Sequence, residues 1–323
     1  MYKKIVGKTD QKMFGKRCDD NHLFFYYSAS DFKGLLDDKY EFKIEDGTTL
    51  RGHFYYYPNF DPKKLIIFCH GFSAGHRSYF PEIEYLCKAG LKVLAFDYKG
   101  TFESDGENLT GFSEPIEDLY SLLNTLTKEG YFDKYEISLI GHSWGGFAIG
   151  NILNYFDNIS KAIVISGPTS LADYLDGYLP KYIPFRKRLI LETLEKEATI
   201  YPKFYSSTSI SAYFKTKTKV LLIQSIDDKV VNFNFSSGKV QRTIGKKKNI
   251  EYYFIKDHVH NPTYSKDAVI YFNSVIDKYN DLLKHHKLKT FEEKQAYFKD
   301  VKWKDMTKLD ENVMNKITTF IKQ

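Results

Sequence analysis

Apolar residues change their spacing several times along this chain, and each change marks a predicted element. Two β-prone runs, 40–44 and 49–57, flank Glu45-Asp46-Gly47, and Asp-Gly between such runs predicts a hairpin. From Leu65-Ile66-Ile67-Phe68-Cys69 onward the pattern becomes continuous rather than alternating, as expected of a strand buried on both faces. A helix near 79–88 with a stop at Gly90, a strand over 91–96 and a helix over 113–126 follow. A strand ending at Ile140 runs straight into a helix carrying Phe147, Ile149, Ile152 and Leu153. Further strands are predicted at 162–165, 220–223 and 250–255. Such strands alternating with helices define an α/β class, with a mostly parallel central sheet of about eight strands flanked by helices.

One interval interrupts the alternation. Residues 169–218 exceed what a single crossover requires and are rich in aromatic side chains, with a helical pattern over 188–198. A long insertion in a compact domain is expected to be functional, here a lid or cap. The domain organisation that follows is an N-terminal extension (1–38), a core (39–290) containing the insertion at 169–218, and a C-terminal helical extension (291–323). In that last segment Thr307 and Asp310 have the spacing of a capping box, and Val313, Ile317, Phe320 and Ile321 form an apolar stripe for docking.

Composition narrows the function classes. The chain has 323 residues and a net charge of +6, with lysines dispersed along it and no recognised nucleic-acid motif, so no nucleic-acid partner is expected. The three cysteines, Cys18, Cys69 and Cys87, lack ligand-like spacing and read as packing residues. No segment has signal-peptide or membrane-span character, so a soluble cytoplasmic protein without stable membrane insertion is expected.

The chemistry centres on residues 137–153, ISLIGHSWGGFAIGNIL, where Gly141-His142-Ser143-Trp144-Gly145 fits G-x-S-x-G between a predicted strand and a predicted helix. The glycines leave room for a serine raised on a sharp turn, and the helix N-terminus presents N–H groups to a developing anion. A serine hydroxyl needs a base to take its proton and an acid to orient that base. Later strands supply Asp227 or Asp228 after Ile223, and His258 or His260 after Ile255. A metal reading of the two histidines with either aspartate lacks a further ligand at suitable spacing, so neither metal nor cofactor is expected.

The order Ser, Asp, His resembles that of the α/β-hydrolases, in particular their carboxylesterase, monoglyceride-lipase-like and serine-aminopeptidase-like branch. The resemblance runs from about Tyr40 to Tyr279. It includes His70-Gly71-Phe72, the stretch from Phe96 to Gly100 with Ser104 and Gly106, the Asp227-Asp228-x-Val230-Val231 turn and His260-Asn261-Pro262. It implies a triad of Ser143, Asp228 and His260, and an oxyanion hole from the backbone N–H groups of Phe72 and Trp144. His70 would orient its loop, and His142 would pack away from the nucleophile. The implied activity is hydrolysis of small-molecule carboxylic esters with a small to medium apolar acyl group. Thioesterase or aminopeptidase-type amidase chemistry on the same triad is the alternative, and a non-catalytic binding protein of this fold a further one.

Overall fold

The computed structural model describes residues 2–19 and 22–323. Met1, Asp20 and Asn21, part of the expected N-terminal extension, lie outside the described residues. Eight strands form one sheet: β1 (Leu36–Lys43), β2 (Thr49–Tyr56), β3 (Lys64–Cys69), β4 (Lys92–Phe96), β5 (Glu136–His142), β6 (Lys161–Ile165), β7 (Lys219–Ser225) and β8 (Ile250–Ile255). Their order is β1-β2-β4-β3-β5-β6-β7-β8. The β1–β2 hairpin is antiparallel and meets β4 antiparallel, whereas β4, β3 and β5 to β8 run parallel.

The helices are α1 (Tyr2–Phe14), α2 (Phe80–Lys88), α3 (Glu114–Lys128), α4 (Tyr131–Lys134), α5 (Trp144–Ile152), α6 (Leu171–Tyr178) and α7 (Arg186–Ile200). Then come α8 (Ser209–Lys215), α9 (Ser237–Ile244), α10 (Lys266–Lys284), α11 (Phe291–Lys299), α12 (Trp303–Met306) and α13 (Glu311–Lys322). Strand periodicity sorts the core into two layers, because successive side chains leave a sheet on opposite faces. Leu65 and Ile67 pack with Leu139, Phe147 and Ile149 on one face, while Ile66 and Phe68 pack with Phe80, Ile83 and Leu86 of α2 on the other. Helix α13 joins that second layer through Val313, Met314, Ile317, Phe320 and Ile321, all buried. At roughly 1.5–3 kcal/mol per buried aliphatic side chain, this stripe holds the C-terminal segment on the sheet.

Two features differ from the reading of the sequence. The 1–38 segment contains α1, and β1 already begins at Leu36. Thr307 and Asp310 make no capping box. Asp310 alone caps α13, accepting from the N–H groups of Asn312 and Val313, whereas the Thr307 hydroxyl turns back to the Trp303 carbonyl of α12. The spacing was right for a cap, but an intervening helix end claimed the threonine.

The long interval between β6 and β7 holds α6, α7 and α8. Among the described residues no helix is long and apolar enough to cross a membrane.

Candidate active site

The turn between β5 and α5 is a place where backbones nearly touch. A Cβ on Gly145 would lie 2.1 Å from the Cys69 carbonyl oxygen, and one on Gly141 would lie 2.5 Å from the Gly145 carbonyl carbon. Neither position accepts a side chain. Between them Ser143 adopts φ 55°, ψ −113°, a strained conformation for a residue with a Cβ. Its N–H donates to the Ile165 carbonyl at 2.8 Å, and its own carbonyl accepts from Phe147 N–H to start α5. The strain is therefore overdetermined on both sides, and it presents Oγ above the sheet.

His260 and Asp228 reach this serine from the loops after β8 and β7. The Ser143 Oγ lies 2.9 Å from His260 Nε2, and His260 Nδ1 lies 2.9 Å from Asp228 Oδ2. Asp228 Oδ1 accepts from the N–H groups of Val230 and Val231, both at 2.9 Å, which leaves Oδ2 facing the imidazole. The Asp228 side chain is fully buried and that of His260 is 16% exposed. The alternatives are engaged elsewhere. Asp227 accepts from the Ser225 hydroxyl and from Asp257 N–H, stapling two loops. His258 donates from Nδ1 to the Lys256 carbonyl and meets Asp310 with Nε2 at 3.1 Å, tying the β8 loop to the start of α13.

The loop after β3 faces Ser143 from the other side. Buried His70 donates from Nδ1 to the Gly71 carbonyl and accepts Tyr98 N–H on Nε2, which fixes a neutral tautomer. Burial pushes its pKa down to about 4. Trp144 is the first residue of α5, so its N–H has no acceptor within the helix. Its indole donates to the Phe112 carbonyl at 2.7 Å, and its ring meets that of Phe72 edge-on at 5.3 Å.

Sequence reasoning missed two contributors. Tyr79 and His142 form a hydrogen-bonded pair beside Ser143 and His260, and α1 brings Met13 and Phe14 to the mouth of the site. A tyrosine at a helix start and a short N-terminal amphipathic stretch carry no motif; only the position of His142 next to Ser143 was a signal.

Two cavities meet at Ser143. One, of about 200 Å³, is walled by Met13, Phe14, Phe112, Trp144, Tyr174 and Val231. It adjoins a further apolar cavity of about 130 Å³ that shares Met13, Phe14, Phe112 and Tyr174 and extends to Leu175 and Leu189 of α6 and α7. The other, of about 480 Å³, opens on the opposite side past Tyr79, Lys229, Asn261 and Asn273.

This sheet order, the serine turn and the loops that meet it are those of the α/β-hydrolase fold. Residues 61–211 match the family described as serine aminopeptidase, S33. A monoacylglycerol lipase of Mycolicibacterium smegmatis is 28% identical over 134 residues, 41% of this chain and 46% of that protein. An uncharacterized 31.7 kDa protein of Escherichia coli is 38% identical over 86 residues, 25% of this chain and 29% of that protein. The chain thus spans less than half the length of either relative. An esterase of Pyrococcus furiosus superposes with a TM-score of 0.58 over 84% of this chain and 98% of its own, at 21% identity, a likeness of fold.

Proposed function

We propose that the protein is a serine hydrolase that cleaves carboxylic esters with an apolar acyl group through a covalent acyl-enzyme. The observation that carries this reading is the continuous hydrogen-bond chain from Ser143 through His260 to Asp228 beside an apolar cavity. Ser143 Oγ attacks the ester carbonyl while His260 Nε2 takes its proton, and Asp228 holds the imidazole and stabilises the imidazolium. Charge on the carbonyl oxygen is met by the backbone N–H groups of Phe72 and Trp144. His260 then gives the proton to the departing alcohol, and a water activated by the same nitrogen releases the acid. No step calls for a metal or cofactor.

The cavity walled by Phe14, Phe112 and Tyr174 suits the acyl chain, and the wider one past Asn261 and Asn273 suits the leaving group. Helices α6 to α8 then act as the lid over the acyl side. The charged side chain lining the leaving-group cavity is Lys229, a cation. A free α-ammonium group buried there would need a carboxylate partner, so esters are favoured over aminopeptidase substrates. The reading is tested by labelling with a fluorophosphonate and mapping the modified peptide, alongside a p-nitrophenyl ester series. Labelling at Ser143, lost in Ser143→Ala, with turnover of acyl esters, supports it. A folded wild-type protein that neither labels nor turns over any ester overturns it.

A further inference from the structure

Away from the triad, where β1, β2 and the loops after β3 and β4 converge, two buried histidines and a glutamate lie together. Ligand atoms of His53, His76 and Glu103 all fall within 4.8 Å of one another. The two imidazoles face each other at 5.3 Å between ring centroids, and their side chains are 8% and 1% exposed. From this arrangement the geometry points to a divalent transition-metal site, with His53, His76 and Glu103 as ligands for an ion such as zinc.

The surroundings have the features such a site requires. Asp37 of β1 accepts from His53 Nδ1, which orients the ring so that Nε2 meets Glu103 Oε2 at 2.8 Å. A carboxylate behind a histidine is the usual outer partner of a ligating imidazole. His76 has a buried Nδ1 that makes no aligned hydrogen bond, although Asp97 Oδ1 lies 3.0 Å away. Its Nε2 rests 3.1 Å from the Tyr55 hydroxyl.

Asp97 preorganises the other two segments. Its Oδ1 accepts His76 N–H at 2.7 Å and its Oδ2 accepts Glu103 N–H at 3.1 Å, so one buried carboxylate holds the backbone of two ligands. The cluster also brings three carboxylates, Asp37, Asp97 and Glu103, around two imidazoles, an excess that a divalent cation offsets.

Donor chemistry selects the ion. Two imidazole nitrogens and one carboxylate suit zinc and its neighbours in the first transition row, whereas calcium and magnesium prefer an all-oxygen shell. Tetrahedral zinc at about 2.0–2.2 Å from each ligand sets ligand atoms about 3.4 Å apart, within reach of these side chains by small rotations. The ion takes the place of the proton between His53 Nε2 and Glu103 Oε2, and that proton passes to solvent. Three protein ligands leave a fourth position for water. Once bound, the ion clips β2 to both loops and, through Asp97, braces the segment that begins at His70.

The test uses the full-length protein freed of metal with a chelator and titrated with zinc chloride by calorimetry, with melting temperature as a second readout. One equivalent bound with micromolar or tighter affinity, accompanied by a higher melting temperature, is expected. His53→Ala and Glu103→Gln should lose that equivalent, and Glu103→Gln, at a partly exposed side chain, should retain the wild-type circular dichroism spectrum. Asp37→Asn should weaken binding by about 10–100-fold, the loss typical of an outer-shell partner. Cobalt in place of zinc should give the intense visible absorption of a four-coordinate site. Absence of saturable uptake overturns the site, as does wild-type uptake by Glu103→Gln and His53→Ala. Loss of the equivalent on replacing the exposed pair His285 and His286 by alanine instead would assign it to the surface and equally overturn the proposal.

Discussion

The imidazole of His142 donates from Nε2 to the carbonyl oxygen of His260 at 2.7 Å, so the residue preceding the nucleophile holds the backbone of the proposed base. Its Nδ1 accepts from the Tyr79 hydroxyl at 2.8 Å, and that hydroxyl accepts Gly71 N–H at 3.1 Å. One ring and one phenol therefore connect the His260 loop to the loop that carries Phe72. Burial and the adjacent His260 push the His142 pKa down to about 3, so the ring stays neutral and the direction of each bond is fixed.

Tyr79→Phe keeps the ring but strands Gly71 N–H and His142 Nδ1. Each unsatisfied buried group costs about 1–3 kcal/mol. A fall in kcat of about 10-fold or more with KM little changed is expected for a good ester, because the loss falls on groups aligned for the transition state. If kcat holds while only the melting temperature drops, the pair is structural and not a positioning device.

Asp228 and Asp227 make a clean contrast. Asp228→Asn places an amide against His260 Nδ1 and favours the wrong tautomer, so kcat should fall by about 10³–10⁴-fold with the fold intact. Asp227→Asn retains an oxygen to accept from Ser225 and Asp257, and should leave kcat within about threefold. Steady-state rates on one ester decide it, and equal losses in the two variants would remove Asp228 from the triad.

Helix α1 is expected to set acyl-chain selectivity through Phe14, which meets Phe72 edge-on at 5.5 Å and lies 6.4 Å from Trp144. Phe14 also walls both apolar cavities. Phe14→Ala should join them more widely, shifting preference from short toward longer acyl chains. Since one methylene in an apolar pocket is worth about 1–3 kcal/mol, the ratio of kcat/KM for decanoate over butyrate should rise by about 10-fold. An unchanged chain-length profile would mean that the acyl group lies elsewhere.

How much of this was legible in the chain differs by residue. The serine turn is a local object: Gly141, Ser143 and Gly145 sit within five residues, and the steric demand that selects them acts over the same span. The parallel strands were legible because burial on both faces leaves unbroken apolar runs such as Leu65 to Cys69. Choosing between Asp227 and Asp228 needed the family resemblance, since adjacent carboxylates are equivalent until the backbone places one of them on the N–H groups of Val230 and Val231. The Tyr79–His142–His260 connection spans 63 and 118 residues and leaves no pattern in either neighbourhood. The His53, His76 and Glu103 cluster was hidden for the same reason: sheet pairing of β2 with β4 brings its members together. Chemistry confined to a turn is readable, whereas chemistry assembled by the sheet is not.

Glu82 predicts a pH dependence of stability. Its carboxyl is buried under α2, where Oε1 accepts from the Thr263 hydroxyl at 2.9 Å and Oε2 has no hydrogen-bond partner among the described residues. Burial pushes its pKa from 4.5 up to about 7. The folded chain therefore keeps this proton to higher pH than the unfolded chain, so stability falls as pH rises from about 4.5 through about 7. Glu82→Gln mimics the protonated form, and its amide oxygen can still accept from Thr263. The variant should match wild type at pH 4.5 and exceed it by roughly 3 kcal/mol at pH 8.5, as the shift of the carboxyl implies. Urea unfolding at the two pH values measures the difference directly. A gap that is the same at both would show that Glu82 is ionised in the folded protein throughout, with its charge compensated.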